Sequence, residues 1–405
     1  MINIIPSNEE IEIAKNCGYY NRENSKKQNY INKIFKKPWG QEYLVYQNDN
    51  IGIWILHINK YEKTSVHCHF RKASILIPLH GCFKIETYKS FEILHELNVL
   101  YFPINTFHGI MSYIDDGVIM EIEIYTNKIS YSDKNDLLRL RDIYIRDKNC
   151  YENSTQEIIL EENEAVNFHK MKQIIYGDTI INFKNFDELY CNSDLNLNND
   201  LNILLNGKIF QENILSPGSI ISNNKIISNL DSNTIFLCIN NINNYENSKI
   251  IYNKTHLNDL IQKHKFTNIG LTSGCFDIIH SGHINNLKLC KNNCDKFFVC
   301  LSSDKQIKTL KGSERPINNL KDRIKLLSTL PFVDYIILYN EIDNETEIEL
   351  DNIMNILKPN FWFKGNDYTI EKIKQKHPGL NNIILFDNIE NKSTTNIIKK
   401  IQNKE

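Results

Sequence analysis

The pattern of hydrophobic residues changes near Thr267, and this change limits the chain to a multidomain fold. Before that point, short alternating or apolar runs such as Ile51–Ile58 and Val118–Tyr125 are broken by turns, which predicts an all-β barrel or sandwich. After it, apolar strand-like runs alternate with amphipathic helical stretches, which predicts an α/β domain with a parallel sheet. The length of 405 residues agrees with two or three domains, because domains cluster around one to two hundred residues.

These patterns divide the chain into four predicted segments. Residues 1–30 are polar and aperiodic and are predicted to be a leader arm. Residues 31–147 are predicted to form a first β-barrel, and residues 148–253 a second β-rich region that ends in an Asn-rich linker. Residues 254–405 are predicted to form the α/β domain. Its strands are expected at Asn268–Ser273, Lys296–Leu301, Tyr335–Leu338, Asn360–Phe363 and Asn382–Phe386.

Composition and charge exclude several classes of protein. The net charge is -2 with 24% charged residues, so the protein has no strong electrostatic field of one sign, and a nucleic-acid partner is not expected. The sequence contains no apolar run of about eighteen residues and no signal-peptide pattern, so we expect a cytoplasmic protein with no membrane partner. The 10 cysteines include no Cys-x-x-Cys pair, which argues against a disulfide framework or a structural zinc site.

A glycine-bearing turn joins the first strand of the predicted α/β domain to a helix. The turn and the helix start contain Gly274, Cys275, Phe276, Asp277, His280, Ser281, Gly282 and His283. Such a turn lets backbone N–H groups and a helix N-terminus approach phosphate oxygens, and the two histidines can donate hydrogen bonds to the same phosphates. Because nucleotidyl transfer builds negative charge on the α-phosphate and on the departing pyrophosphate, such donors suffice for catalysis without a covalent nucleophile.

Four more blocks follow this turn in order. They are Leu310-Lys311-Gly312-Ser313-Glu314-Arg315-Pro316, Asp322-Arg323, Phe363-Lys364-Gly365-Asn366-Asp367-Tyr368 and Ser393-Thr394-Thr395-Asn396-Ile397-Ile398. Together with His280-x-Gly-His283 they resemble the His-x-Gly-His cytidylyltransferase-like nucleotidyltransferases, a Rossmann-like superfamily, over residues 268–401. Within that superfamily the blocks look most like the heptose 1-phosphate adenylyltransferase domain.

The resemblance implies a reaction and roles for individual residues. A nucleoside triphosphate, with ATP favoured, would be joined to a phosphorylated sugar or polyol with release of pyrophosphate, and Mg²⁺ would bridge the triphosphate. His280, His283 and Lys311 would be catalytic. The implied nucleotide-binding residues are Gly274, Cys275, Phe276, Asp277, Gly282, Arg323, Lys364, Gly365, Asp367, Ser393, Thr394 and Thr395. The stretch before Ser393 departs from the resemblance, so CTP with glycerol 3-phosphate or a similar small phosphate ester stays open.

A group of histidines marks the first β region. His67 and His69 point to the same face of a predicted strand, and His108 follows Pro103 near a later strand. Three imidazoles on neighbouring strands can hold a divalent transition metal inside a barrel. The pattern resembles the cupins, and the opening Lys37-Pro38-Trp39-Gly40 looks like cupins of polysaccharide assembly, including the sugar-phosphate isomerase type.

One feature of the cupin pattern is missing. Where its carboxylate should stand, the chain has Ala73 or Ser74, directly after Arg71-Lys72. Glu121 or Glu123 from a later strand could supply the ligand instead. A metal-free pocket, in which these two cations and the histidines bind a phosphate, stays open, as does a purely structural role for the histidines.

Two hypotheses about the whole chain follow. In the first, a bifunctional enzyme supplies a nucleotide-sugar for surface polysaccharide, and its cupin half acts on or binds a sugar phosphate. In the second, the same transferase carries a cupin half that is a non-catalytic regulatory or dimerisation module. The second β region lacks histidines between Asn206-Gly207-Lys208 and Leu215-Ser216-Pro217-Gly218, so we expect a structural or dimer-forming copy and a homodimer.

Overall fold

The chain divides into two compact units, Met1–Asn244 and Tyr245–Glu405. The computed structural model describes residues 2–17, 29–126, 131–146, 156–159, 173–176, 179–185, 195–197, 201–206, 209–210, 214–222, 225–227, 235–241, 249–339, 349–365, 369–376, 382–386, 394 and 397–398. The first unit consists mostly of antiparallel β-sheets and the second has a parallel sheet with helices, which confirms the predicted fold class. Within the described residues, no helix combines the length and the apolar character needed to cross a membrane.

Two packed sheets form the barrel of the first unit. Its strands are β1 (Ile2–Asn3), β2 (Lys33–Lys37), β3 (Gly40–Gln47), β4 (Ile51–Ile58), β5 (Val66–Cys68), β6 (Lys72–His80), β7 (Phe83–Thr87), β8 (Phe91–Leu94), β9 (Leu100–Phe102), β10 (His108–Ser112), β11 (Gly117–Tyr125), β12 (Leu138–Arg141) and β13 (Gln156–Ile159). The larger sheet has the order β1-β9-β6-β11-β4-β3-β2-β13, and the smaller one β12-β5-β10-β7-β8. Side chains of both sheets, among them Trp54, Leu76, Phe83 and Ile110, form the core between them.

The predicted leader arm contains a strand and a helix. β1 pairs in parallel with β9, and helix α1 covers Asn8–Asn16. Ser7 and Glu10 form a capping box at the start of α1, in which the Glu10 carboxylate accepts the backbone N–H of Ser7 at 2.8 Å. The other oxygen of Glu10 accepts the backbone N–H of Phe107 at 3.0 Å. Residues 2–17 are therefore part of the barrel unit, and the aperiodic appearance of the segment concealed the cap.

The second β-rich region packs on the first barrel rather than forming a unit of its own. Its strands are β14 (Gln173–Tyr176), β15 (Thr179–Asn185), β16 (Leu195–Leu197), β17 (Leu201–Asn206), β18 (Ile209–Phe210), β19 (Ile214–Leu215), β20 (Ile220–Ser222), β21 (Lys225–Ile227) and β22 (Ile235–Asn241). Ile203 and Leu237 of this region share a core with Ile53, Ile77 and Met120 of the barrel. Because β4, β6 and β11 carry apolar side chains on the face turned away from the histidines, that face needs this cover.

A parallel sheet with helices forms the second unit. Its elements are β23 (Ile250–Ile251), α2 (Lys254–Lys263), β24 (Ile269–Gly274), α3 (Ser281–Asn292), β25 (Lys296–Ser302), α4 (Asp304–Lys311), α5 (Leu320–Ser328), β26 (Tyr335–Tyr339), α6 (Leu350–Leu357), β27 (Phe361–Gly365), α7 (Ile370–Lys376) and β28 (Asn382–Phe386). The strand order is β23-β26-β25-β24-β27-β28. The five predicted strands match β24 to β28 within about two residues. The unit begins before the predicted boundary, because β23 pairs with β26.

The strand order locates a crevice at one edge of this sheet. From β24 the chain builds outward through β25 and β26, and then returns to place β27 and β28 on the other side of β24. Ligands of open α/β sheets bind at such a reversal, outside the carboxyl ends of the strands. Gly274 ends β24 and Gly365 ends β27, so both predicted residues lie at this edge.

Candidate functional site

The turn after β24 leads from the sheet into α3. A Cβ atom on Gly274 would lie 2.9 Å from a ring carbon of Phe276, so the close approach of this ring requires glycine. Phe276 itself has a φ of 45°, in the left-handed region that few non-glycine residues adopt. Its ring centroid lies 5.3 Å from that of His283. The turn therefore holds an aromatic ring against the start of α3, where Gly282 is buried in the first helical turn.

His280 and His283 lie side by side at the N-terminus of α3. Their ring centroids are 3.9 Å apart and the ring planes differ by 27°. Within the described residues, the buried Nδ1 atom of His283 has no hydrogen-bond partner. Burial, and next the neighbouring His280, lower the pKa of His283 to about 4. This ring is therefore neutral at neutral pH, and an arriving polyanion would favour its protonated form.

Lys364 brings a positive charge to the same edge. Its Nζ atom donates to the hydroxyl of Ser273 at 2.5 Å, across the β24–β27 pair. Thr394 reaches the turn from the C-terminal segment, because its hydroxyl donates to the carbonyl oxygen of Ile278 at 3.4 Å. Ser273 was not among the predicted residues, and only its place one residue before Gly274 marked it. Of the other predicted residues, Asp367, Ser393 and Thr395 lie outside the described residues.

Asp277 supports a neighbouring loop. One of its carboxylate oxygens accepts the backbone N–H groups of Ile317 and Asn318, at 2.8 and 2.9 Å. The other oxygen forms an ion pair with Nε of Arg315 at 2.5 Å. Because both oxygens are engaged and the side chain is 1% exposed, the carboxylate holds this loop against the turn. That Asp277 also contributes to nucleotide binding stays a prediction.

Arg323, for which the resemblance implies a phosphate contact, is surrounded by oxygen atoms of the protein itself. The residue is 0% exposed. Its guanidinium group donates to the carbonyl oxygens of Cys275 and Ser302 at 2.8 Å and of Asn318 at 3.1 Å. A fourth bond, of 2.6 Å, joins it to Asp304. Arg323 therefore connects the turn after β24 to the end of β25 and has its donors directed at protein oxygens.

Lys311 differs from its predicted setting in another way. The sequence placed it in a flexible loop, but it is the last residue of α4 and is exposed. Gly312 ends that helix with a φ of 100°. The Lys311 side chain thus extends into solvent from the helix end.

The three predicted metal ligands of the barrel come together. His67 on β5 pairs in register with His108 on β10, and His69 follows at the end of β5. One ligand nitrogen from each ring lies within 4.8 Å of the others. The predicted convergence of His67, His69 and His108 is therefore present.

Hydrogen bonds fix how these rings are protonated. The Nδ1 atom of each ring faces a backbone carbonyl oxygen, which can only accept, so Nδ1 carries the proton. The carbonyls belong to Ser65, Asp136 and Thr106, at 2.9, 2.5 and 3.1 Å from His67, His69 and His108 respectively. Burial lowers the pKa of all three imidazoles, which keeps them neutral. A neutral imidazole held through Nδ1–H presents the Nε2 lone pair that a metal requires.

A cavity surrounds the histidines. Its ionisable lining residues besides the histidines are Lys37, Glu42, Lys72, Glu121, Glu123, Lys134, Arg139 and Arg146. Positive side chains outnumber carboxylates in this set, and Glu42 lies 3.8 Å from Lys37 and 3.4 Å from Lys134. The cavity therefore favours an anionic ligand.

The alternative of a metal-free phosphate site at Arg71 and Lys72 fits the structure less well. Arg71 forms an ion pair with Asp133 at 3.6 Å, and Lys72 forms one with Glu123. Both pairs are buried. A phosphate would have to displace these carboxylates, so the anion-binding charge must come from the other lining cations.

Comparisons with known proteins match the two ends of the chain to two different families. Residues 271–400 match the Cytidylyltransferase-like family, and residues 23–142 match the Mannose-6-phosphate isomerase C-terminal family. The bifunctional protein HldE of Campylobacter fetus is 41% identical over 131 residues, which are 32% of this chain and 27% of that protein. The HldE protein of Helicobacter hepaticus is 38% identical over 162 residues, which are 40% of this chain and 32% of that protein.

A solved structure is similar at a lower level. The lipopolysaccharide core biosynthesis protein of Thermoplasma volcanium shares 26% identity, covers 30% of this chain and 98% of its own, and has a TM-score of 0.26. The chain spans about 30% of the length of the curated relatives that it matches. The sequence matches confirm the resemblance at both ends: the C-terminal unit resembles the cytidylyltransferase-like domain of HldE proteins, and the N-terminal unit resembles a cupin of the mannose-6-phosphate isomerase type.

Proposed function

We propose that the C-terminal unit is a nucleotidyltransferase that joins a nucleoside triphosphate, with ATP favoured, to a sugar phosphate similar to heptose 1-phosphate. The observation that carries the proposal is the pair of His280 and His283 at the N-terminus of α3, which follows β24, with Lys364 of the adjacent strand β27 bonded to Ser273 at the same edge of the sheet. Helix N-termini and imidazole N–H groups bind phosphate oxygens, and the ammonium group neutralises them. The nucleotide-sugar product would serve surface polysaccharide synthesis.

The reaction needs charge stabilisation at one phosphorus atom. A phosphate oxygen of the sugar attacks the α-phosphorus, the bond to the β-phosphate oxygen breaks, and pyrophosphate leaves with that electron pair. His280 and His283 would donate hydrogen bonds to the α-phosphate oxygens as their charge grows. Lys364 would face the triphosphate from β27, and Lys311 would neutralise pyrophosphate from the end of α4. Mg²⁺ bound to the triphosphate would offset part of its charge.

Pyrophosphate release tests this reaction and the choice of nucleotide. The full chain with Mg²⁺ is given ATP or CTP, each with heptose 1-phosphate, other sugar 1-phosphates or glycerol 3-phosphate. Release with ATP and a sugar 1-phosphate supports the proposal. Release with CTP and glycerol 3-phosphate alone would move the chain to the cytidylyltransferase alternative, and no release with any pair would contradict nucleotidyl transfer to these acceptors.

We further propose that the barrel binds a divalent transition metal through His67, His69 and His108, next to an anionic sugar phosphate. The support is the set of neutral rings whose Nδ1 atoms are all held by carbonyl oxygens. When bound, the metal would supply Lewis-acid stabilisation to an oxygen of the sugar. Lys37 and Lys134 share the single carboxylate of Glu42, which leaves an excess positive charge, and these lysines and Arg139 line the same cavity and would bind the phosphate.

Metal analysis and a sugar-phosphate assay separate a catalytic barrel from a binding module. Metal in the purified full chain, together with interconversion of a sugar phosphate that stops after chelation, supports catalysis in the barrel. Metal with binding but no turnover favours the regulatory or dimerisation module. A chain that takes up none of Mn²⁺, Fe²⁺, Co²⁺, Ni²⁺ or Zn²⁺ would contradict the metal site itself.

A further inference from the structure

The histidine site has three nitrogen ligands and needs something more to hold a divalent ion well. Three neutral imidazoles offset none of its charge, and protein sites for transition metals usually complete their coordination with a carboxylate or water. Two glutamates of β11, Glu121 and Glu123, line the cavity beside the histidines. Their surroundings differ, and that difference decides which one is available.

Both carboxylate oxygens of Glu123 already have partners. One carboxylate oxygen pairs with the ammonium group of Lys72 and the other accepts the hydroxyl of Ser132 at 2.6 Å. The residue is 1% exposed, so both interactions are shielded from water. Recruiting Glu123 to a metal would leave the buried charge of Lys72 without its counterion, which is costly.

Glu121 lies beside one of the three histidines. Its Oε1 atom lies 3.9 Å from Nε2 of His69. Two atoms that each coordinate one ion at about 2.1 Å are at most about 4.2 Å apart, so this separation allows a shared ion. In the described residues the Nε2 atoms of His69 and His108 are buried and have no hydrogen-bond partner. These two nitrogen atoms and the carboxylate oxygen of Glu121 are therefore candidate metal ligands.

Ser74 on β6 holds Glu121 in this place. Its hydroxyl donates to Oε1 of Glu121 at 2.8 Å, and both side chains are buried. β6 and β11 are paired, with Glu121 opposite Leu76. Ser74 also stands at a position where the cupin-like pattern of this sequence lacks its expected carboxylate. The carboxylate is therefore present in the site but comes from the neighbouring strand.

We propose that Glu121 is the fourth protein ligand of the barrel metal and that Ser74 is a positioning residue that orients it. The proposal rests on the metal site proposed above. A hydrogen bond to a ligating carboxylate fixes its direction, and loss of such a bond typically costs about 10- to 100-fold in metal affinity. Loss of the ligand itself should cost at least as much.

The experiment measures Co²⁺ binding by the full chain, from its absorption spectrum and by titration. We expect Glu121→Gln to weaken binding by about 100-fold or more and to change the ligand-field bands, and Ser74→Ala to weaken it by about 10-fold. Glu92→Gln on β8 is the matched control, because its carboxylate lies outside the cavity lining. Thermal unfolding with a chelator present checks that each variant still folds.

A transposed variant keeps the test independent of a folding defect. Ser74→Glu combined with Glu121→Ser exchanges two side chains that touch, so the site keeps its atoms with the carboxylate on β6. Recovery of Co²⁺ affinity and bands relative to Glu121→Gln supports the proposal. Wild-type affinity and bands in Glu121→Gln would overturn it while leaving the histidine site intact, whereas absence of Co²⁺ binding by the wild type would overturn the metal site as well.

Discussion

Replacement of Arg323 by methionine should lower the free energy of unfolding of the C-terminal unit, because the side chain holds the turn after β24 in place. The guanidinium group makes three bonds to the carbonyl oxygens of Cys275, Ser302 and Asn318 and one to Asp304. At about 1 kcal/mol for each carbonyl bond and about 1–2 kcal/mol for the ion pair, we expect a loss of about 4–5 kcal/mol in the free energy of unfolding. Arg323→Lys keeps the charge but cannot reach all four acceptors, so we expect about half that loss.

Hydrogen exchange in increasing urea measures this effect in the intact chain. Peptides from β24 and β25 report the unfolding free energy of the unit that contains Arg323. Lys325→Met, at an exposed position of the same helix, is the control and should change it by less than about 0.5 kcal/mol. The reasoning would be refuted if Arg323→Met left exchange unchanged and weakened only triphosphate binding, because the side chain would then act on phosphate.

Three further predictions concern the two sites. His283→Ala should lower the rate of nucleotidyl transfer by about 100-fold or more with unchanged unfolding, measured by pyrophosphate release; an unchanged rate would contradict its role. The pKa of about 4 for His283 lies below that of the unfolded chain, which therefore binds more protons between about pH 4 and 6.5. Wild-type stability should fall relative to His283→Gln as pH decreases through that window, by up to about 3 kcal/mol, and parallel pH profiles in urea unfolding would count against it. Metal at about 100 times its dissociation constant should stabilise the barrel unit by about 2.7 kcal/mol. Thermal unfolding with and without a chelator measures this effect, and equal melting temperatures under both conditions would contradict the metal site.

Local patterns explain why much of the fold could be predicted. Each strand from β24 to β28 is a short apolar run followed by a helical stretch, and such periodicity depends only on neighbouring residues. The capping box of Ser7 and Glu10 was an equally local signal for α1, but a polar segment concealed it. The core that the second β region shares with the barrel could not be predicted from local patterns, because it joins Ile203 and Leu237 to residues far away in the chain, such as Ile53 and Ile77.

In the candidate sites too, local spacing was predictable from the sequence and long-range contacts were not. Residue spacing identified the turn from Gly274 to His283 and the three histidines of the barrel, since one turn or one strand carries most of each group. The function of a charged side chain was harder to predict. Asp277 and Arg323 belong to recurring blocks, yet their partners are backbone groups of other loops and strands. Pattern alone could not show that these two residues hold the turn in place.

The sequence by itself determined the order of β-barrel and α/β domain, the glycine-bearing turn before α3 and the histidine pattern, because hydrophobic periodicity and motif spacing are local properties. Only the tertiary structure decided which ionisable groups remain available for ligands. Glu121 and Glu123 are equivalent in the sequence, two positions apart on one strand. Lys72 and Ser132 engage both oxygens of Glu123, whereas Ser74 leaves Glu121 beside His69. Burial makes an ion pair or a vacant lone pair energetically important, and burial arises only when distant segments pack together.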